Sequence, residues 1–317
     1  MHPTLQNTSS AISINQPTRA PSRWSVLARC IRAPFLVASL LPTFLGAAVA
    51  VGEGHSLHPL LLLWSLLGVG LLHAGGNAAN EYYDWRSGAD RPRPVRRFSG
   101  GSQVVNDGQV SPEGLRRVYR TCFLVALLLG FYVTALVGPW VLILGLIGLA
   151  LGYWYTAPPA ALCYRGLGEV TVGAAFGPLL VLGAYYVQAG CLDWLPLAVS
   201  APVACLITAV LYINQFPDRW EDAAAGKANL VVRSQGESIA PYLWLTGLAA
   251  AGTTALLAWR SPCLAVSALP LVGLTVLAGR GARALYRTPE RLEPVQGVTL
   301  VLHTLTNLGL IAAFLLV

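Results

Sequence analysis

At 317 residues, 55% hydrophobic and only 11% charged, the chain falls well below the roughly 25% charged content of soluble domains, which excludes an ordinary water-soluble fold. The net charge of +7 comes without any basic stretch interleaved with aromatics on a soluble domain, so nucleic acid is excluded as a partner. The six cysteines (Cys30, Cys122, Cys163, Cys191, Cys205, Cys263) lack the close spacing of a zinc or redox site and read as small apolar filler.

Residues 1 to about 22 are rich in Ser, Thr, Asn, Gln and Pro, have no apolar period, and are expected to form a disordered cytoplasmic tail rather than a secretory signal. Apolar runs near the ~20 residues that cross a bilayer then follow. They fall at about 33–52, 57–79, 118–137, 139–157, 168–189, 194–215, 239–259, 262–279 and 297–317. The expected fold is all-α and integral to the membrane, with nine transmembrane helices in one domain over 23–317 and the lipid bilayer as solvent.

Orientation follows from the basic residues, which are retained on the cytoplasmic side. Of the 21 Lys and Arg, all but Arg260 lie before span one or in, or just flanking, the connections after spans two, four, six and eight. That places the amino terminus and those connections in the cytoplasm, and an error of one span would scramble the pattern. Residues 80–117 and 216–238 form the two long connections, both on that face. Connections of this length in a compact protein are usually functional.

The first long connection opens Asn80-Glu-Tyr-Tyr-Asp84-Trp-Arg-Ser-Gly88-Ala-Asp90, and the end of span six runs into the second as Asn214-Gln-Phe-Pro-Asp218-Arg-Trp-Glu-Asp222. Residues four apart share a helical face, so Asn80 and Asp84 project together. Asn214, Asp218 and Asp222 do the same if the helix continues past Pro217. Carboxylates at a bilayer edge are costly without a cation, and the spans offer no equal set of basic partners. Mg2+ takes one or two carboxylates plus phosphate oxygens and keeps several waters. Two facing clusters, with Asp84, Asp90, Asp218 and Asp222 as metal ligands, suit Mg2+ ions on a diphosphate. Lys227, the one lysine of the chain, follows Gly226 just after the second cluster and is the first candidate to neutralise phosphate. Arg97, Arg165 and Arg233 are further candidates, each also explained by the positive-inside bias.

These motifs resemble the UbiA superfamily of intramembrane aromatic prenyltransferases over about residues 23–317. The resemblance implies nine transmembrane helices and Asp-rich motifs after helices two and six, with Mg2+-bound prenyl diphosphate between them. Asn80, Asp84, Gly88 and Asp90 are similar to the branch that prenylates 1,4-dihydroxy-2-naphthoate. So are Phe98-Ser-Gly-Gly-Ser102, Tyr155-Thr-Ala-Pro-Pro159 and Tyr164-Arg-Gly-Leu-Gly-Glu169. The second motif departs from it, reading Asn-Gln-Phe-Pro-Asp where many such enzymes have Asn-Asn-x-x-Asp.

The resemblance implies a membrane enzyme of menaquinone biosynthesis that ionises a polyprenyl diphosphate and alkylates an aromatic acceptor, with loss of CO2 in the naphthoate branch. Asn80, Asn214, Arg97, Tyr155, Arg165 and Arg233 are expected to bind substrate, and the four aspartates with Lys227 to carry the chemistry in a plasma (inner) membrane. Tyr153 and Tyr155 either face the allylic cation or belong to an interfacial aromatic belt. Glu169 either acts at the site or complements a helix amino terminus. His73 is read as an interhelical hydrogen-bonding group, as are His303 and Asn307. Two other readings stay open: a different acceptor, such as 4-hydroxybenzoate or a lipid phosphate, and a secondary transporter built from related halves.

Overall fold

The computed structural model describes residues 22–92, 95–98 and 100–316. The expected tail thus lies outside the described residues except for Ser22, as do Arg19, Arg93 and Ser99. Helix α1 (Arg23–Cys30) is short and capped by the Ser22 hydroxyl, which accepts from Ser25 N at 3.2 Å. It leads into α2 (Ala33–Gly52) through Arg32, a residue held in the left-handed region at φ 49°.

Among the described residues, eight helices are long and apolar enough to cross a membrane. They are α2, α3 (Pro59–Ser87), α4 (Pro112–Val137), α6 (Gly168–Ala189), α7 (Leu195–Gln215), α10 (Ala240–Arg260), α11 (Pro262–Leu285) and α12 (Glu293–Leu316). The fourth expected span is α5 (Trp140–Trp154), apolar but only 15 residues long, shorter than the usual span of about 17–25. With α5 counted, the chain is a multi-pass, all-helical membrane protein. Two short helices, α8 (Arg219–Ala224) and α9 (Leu230–Arg233), occupy the connection between α7 and α10.

Several boundaries differ from the apolar runs, for local reasons. Helix α3 continues eight residues past the expected end at 79, because no Gly or Pro interrupts it before Gly88, which takes φ 77° and closes the helix. Helix α4 begins at Pro112 rather than 118, because Ser111 accepts from Gly114 N at 3.0 Å and Pro112 suits the first helical position. Both extensions are polar, so hydrophobicity alone does not mark them.

Helix α7 is the central post. Of its apolar window 61% is buried, against 11% for α3, which forms an outer wall. Val199 and Val203 of α7 pack with Leu45 and Val49 of α2 and Phe314 of α12, while Tyr212 and Phe216 pack with Tyr242 and Leu302. Helices α2 and α6 approach so closely that a Cβ at Gly46 would collide with the carbonyl oxygen of Val181. Such small-residue crossings let dispersion contacts hold helices together in lipid. Within α6 a π-turn spans Ala175–Leu179 around Pro178, whose missing N–H interrupts the regular ladder.

Of the intramembrane polar groups, His73 bonds across helices as expected, its Nδ1 lying 2.9 Å from Ser39 Oγ on α2. His303 and Asn307 instead meet along their own helix, with Asn307 Nδ2 donating to His303 O at 2.8 Å.

Candidate active site

The end of α3 delivers the first cluster. Asn80 and Asp84 stand one turn apart, and the Asn80 side chain accepts a hydrogen bond from Thr156 Oγ1 at 2.5 Å. Beyond Gly88 the chain folds back, with Asp90 N donating to Asp84 O at 3.2 Å. Gly101 N in turn donates to Asp90 Oδ1 at 3.1 Å, and a Cβ at Gly101 would fall on that carboxylate.

The second cluster is built differently. Asn214 lies in the last turn of α7, which stops at Gln215, so the helix does not continue through Pro217. Pro217 has no N–H to give the carbonyl four residues back, and its ring crowds that carbonyl. Asp218 N turns to Gln215 O at 3.2 Å, and Asp218 becomes the residue from which α8 starts. Asp222 N then donates to Asp218 O at 2.9 Å, which restores the one-turn stacking of these two aspartates.

Lys227 joins the clusters. Its Nζ lies 3.0 Å from Asp84 Oδ2 and 3.2 Å from Asp222 Oδ1; Asp84 is buried, and the Lys227 and Asp222 side chains are each 13% exposed. Asn229 donates to Asp222 Oδ2 at 2.9 Å while its own Oδ1 caps α9. Burial alone would lower the Lys227 ammonium, but Asp84 and Asp222 outweigh it and hold it well above the usual lysine range. Burial pushes Asp90 up to about 6, helped by the charges of Asp84 and Glu81. Asp222 is raised too, by burial first and then by Asp218 and Asp84, against the lowering effect of Lys227.

Both clusters open on one cavity of about 320 Å³. Asp84, Asp90, Asp218, Asp222 and Lys227 line its mouth, together with Asn80, Asn214 and Tyr155. Below them the wall turns apolar, with Leu72 of α3, Leu151 of α5, Phe176 and Leu179 at the π-turn of α6, and Leu211 of α7. A polar mouth over an apolar shaft suits a ligand with a charged head and a hydrocarbon tail.

Three expected binding residues are not brought to the cavity. Arg97 is exposed, lying over the Phe98 ring with Glu293 Oε1 at 3.9 Å. Arg165 donates to Pro159 O at 2.7 Å, and Arg233 to Arg165 O at 2.9 Å, so both brace the loop after α5. Tyr153 faces away as well, in an aromatic group where its hydroxyl meets Tyr83 Oη at 2.8 Å. Glu169 accepts from Leu230 N at 2.8 Å and so holds the start of α9.

Sequence reasoning passed over other neighbours of the site. Arg96, not Arg97, reaches Asp218, with Nη1 at 2.6 Å from Oδ1 and also donating to Pro217 O at 2.7 Å. Tyr164 Oη shares a hydrogen bond with Ser87 Oγ at 2.7 Å and stands 3.4 Å from Asp84 Oδ1. Arg32 lines the cavity and pairs with the buried Glu81 at 3.3 Å. The Asn-x-x-x-Asp spacing gave no hint of any of these. Their relation to it exists only once the loops fold.

Among the described residues no three His, Cys, Asp or Glu side chains converge as a ready metal cage. The donor set nonetheless fits a hard cation. It is all oxygen, and the side-chain oxygens of Asn214 and Gln215 on the cavity wall are buried without a partner. A site that supplies few protein oxygens and leaves the rest to phosphate and water is the one Mg2+ favours.

The model of the UbiA prenyltransferase family matches residues 39–294. The 1,4-dihydroxy-2-naphthoate octaprenyltransferase of Mycobacterium tuberculosis is 33% identical over 257 residues, covering 77% of this chain and 85% of that protein. The Bacillus subtilis protein of the same name is 28% identical over 240 residues, covering 73% of this chain and 76% of that one. A UbiA homolog from Archaeoglobus fulgidus, solved bound to GPP and Mg2+, superposes with a TM-score of 0.64 at 15% identity, covering 92% of this chain and 99% of that one, and so shares the fold. The chain belongs to the UbiA prenyltransferase family and is a prenyltransferase.

Proposed function

We propose that this prenyltransferase moves a polyprenyl group from its diphosphate to 1,4-dihydroxy-2-naphthoate, with loss of CO2, in menaquinone biosynthesis. The observation that carries the reading is Lys227 bridging Asp84 and Asp222 at the mouth of an apolar cavity. A largely shielded cation between two carboxylates is a poised charge. When a diphosphate enters, the ammonium can turn to its oxygens and leave the carboxylates to a metal. Asp84, Asp90, Asp218 and Asp222 would hold Mg2+, which when bound would supply charge stabilisation to the leaving diphosphate. The names of the relatives support the naphthoate acceptor, and the Archaeoglobus homolog, bound to GPP and Mg2+, supports the donor and the metal.

The remaining work falls to the chain itself. The allylic carbon–oxygen bond breaks and its electron pair leaves with the diphosphate. A ring carbon of the acceptor then forms the new carbon–carbon bond, and the pair from the carboxylate bond returns to the ring as CO2 departs. Thr156 fixes the oxygen of Asn80 and leaves its NH2 as a donor to phosphate. Tyr155 lines the cavity beside the mouth, where its ring can face the cation. Leu72, Leu151 and Leu179 exclude water that would otherwise capture the cation. The clustering of all Lys and Arg but Arg260 supports a mouth on the cytoplasmic face of the membrane.

The test is a membrane assay with Mg2+, labelled polyprenyl diphosphate and separate acceptors, with products identified by mass. The expected product is prenylated 1,4-naphthoquinol lacking the carboxylate. Prenylation of 4-hydroxybenzoate alone would overturn the acceptor and keep the mechanism. Turnover that survives removal of all divalent metal would overturn the site.

A further inference from the structure

Three successive backbone N–H groups in the loop after α3 each donate to a different carboxylate. Gly100 N donates to Asp218 Oδ2 at 2.6 Å, Gly101 N to Asp90 Oδ1 at 3.1 Å and Ser102 N to Glu81 Oε2 at 2.8 Å. The first two acceptors line the cavity, one from each aspartate cluster. Glu81 does not line it. Its side chain is 3% exposed, its second oxygen takes the Ser102 hydroxyl at 2.8 Å, and Arg32 Nη2 stands 3.3 Å from the first.

Resting on the diphosphate reading above, we propose that Glu81 is a positioning residue that anchors this backbone strap to α3 and thereby sets the orientation of Asp90 and Asp218 for the metal and diphosphate. A buried carboxylate is tolerated only where donors satisfy it, and here two of the three donors come from Ser102 alone. Ser102 therefore cannot shift without stranding the charge. The two residues before it are the ones whose amides grip the aspartates. Gly100, at φ 72°, makes the turn between those amides, and Gly101 has no room for a side chain against Asp90. One side chain that touches neither substrate nor metal thus holds a member of each cluster in register.

The experiment uses the full chain in detergent, Mn2+ as the metal probe and a thiolo analogue of prenyl diphosphate that does not ionise. Binding is read by electron paramagnetic resonance, and turnover with Mg2+ is measured alongside. Glu81→Ala is expected to weaken Mn2+ binding by about 10–100-fold, as loss of an outer partner of a ligand does. The Mg2+ concentration for half-maximal rate should rise by a like factor, with KM for the acceptor unchanged. Glu81→Gln keeps an acceptor for Ser102 without the charge and should fall between. Wild-type Mn2+ binding by Glu81→Ala, or a loss falling equally on acceptor KM, overturns the proposal. If the alanine variant does not fold, wild-type Mn2+ binding by Glu81→Gln overturns it instead. A wild-type chain that binds no Mn2+ with the analogue would sink the diphosphate reading itself, a result distinct from any difference between variants.

Discussion

The two Asn-x-x-x-Asp segments share a spacing but not a local structure. Asn80 and Asp84 ride an unbroken helix that runs to Ser87, whereas α7 ends one residue after Asn214, leaving Asp218 at a turn and Asp222 on the separate short α8. The first segment is thus made rigid by its own helical ladder. The second borrows its rigidity from outside, through Arg96 and Gly100 on Asp218 and Lys227 and Asn229 on Asp222. An i, i+4 spacing says which side chains can meet. The breaker at Pro217 decides what must hold them there.

The strongest way to break the comparison is to delete a carboxylate from each side. Asp84→Ala and Asp218→Ala are both expected to lower the rate at saturating substrates by more than the roughly 10–100-fold typical of an outer partner, because each removes a proposed ligand outright. Insertion into the membrane should be unaffected, since neither side chain belongs to the apolar clusters. A rate within tenfold of wild type in either variant, by an order-of-magnitude criterion for a ligand, removes that aspartate from the proposed site.

Restoring the missing ladder is the next test. Pro217→Ala gives the second segment the N–H it lacks and lets α7 propagate toward α8. Asp218 would then rotate away from Arg96 and Gly100. The expected cost in kcat/KM is up to about a hundredfold, the scale of an ångström of misplacement at a reacting centre. Stability should change by only about 1 kcal/mol or less, because relief of the break offsets the lost loop contacts. An unchanged rate would mean that the turn at 216–218 is incidental.

Acidification acts mainly on the first side. Burial, with Asp84 and Glu81, pushes Asp90 up to about 6, and the metal requires the ionised form. Above that pH the Mg2+ concentration for half-maximal rate should be flat. Below it the requirement should rise by about tenfold per pH unit, one proton being displaced per metal bound. Asp90→Asn should remove this slope while weakening Mg2+ use at every pH, measured by Mg2+ titrations from pH 5 to 8 (about the range over which such a group titrates).

Most of the helical frame was legible because lipid imposes a single demand, a run of apolar residues, and every expected span has a helix at its place. What the runs could not show is where helices continue in polar sequence. Residues 80–87 of α3 and 112–117 of α4 are helical through the absence of a breaker and the presence of a cap, which leave no hydrophobic trace. The site was legible to the same depth. Asp84 and Asn80 follow from helical periodicity, and Lys227 from its singularity, and the structure brings all three to the cavity. Glu81 was hidden because a buried carboxylate anchored by a loop has no spacing signature of its own. The adjacent pair Arg96 and Arg97 was undecidable in principle, since which of two neighbours turns inward depends on the path of the loop.

That pair yields the smallest expected effect and the finest test. Arg96 Nη1 meets Asp218 at 2.6 Å with the arginine side chain 39% exposed, whereas Arg97 is 75% exposed and reaches Glu293 only at 3.9 Å. Solvent screening limits even the closer pair, so Arg96→Ala should loosen the second cluster by about 1 kcal/mol and lower kcat/KM several-fold. Arg97→Ala should stay within about 0.5 kcal/mol in thermal stability and leave the rate unchanged, as exposed substitutions usually do. Added salt separates the two explanations of any effect. Loss of a fixed partner of Asp218 persists at high ionic strength, while loss of diffuse positive potential at the mouth disappears as the screening length shortens. If both variants lost activity equally, and salt erased the difference from wild type, Arg96 would be part of a general field rather than the residue that replaces a helical ladder for Asp218.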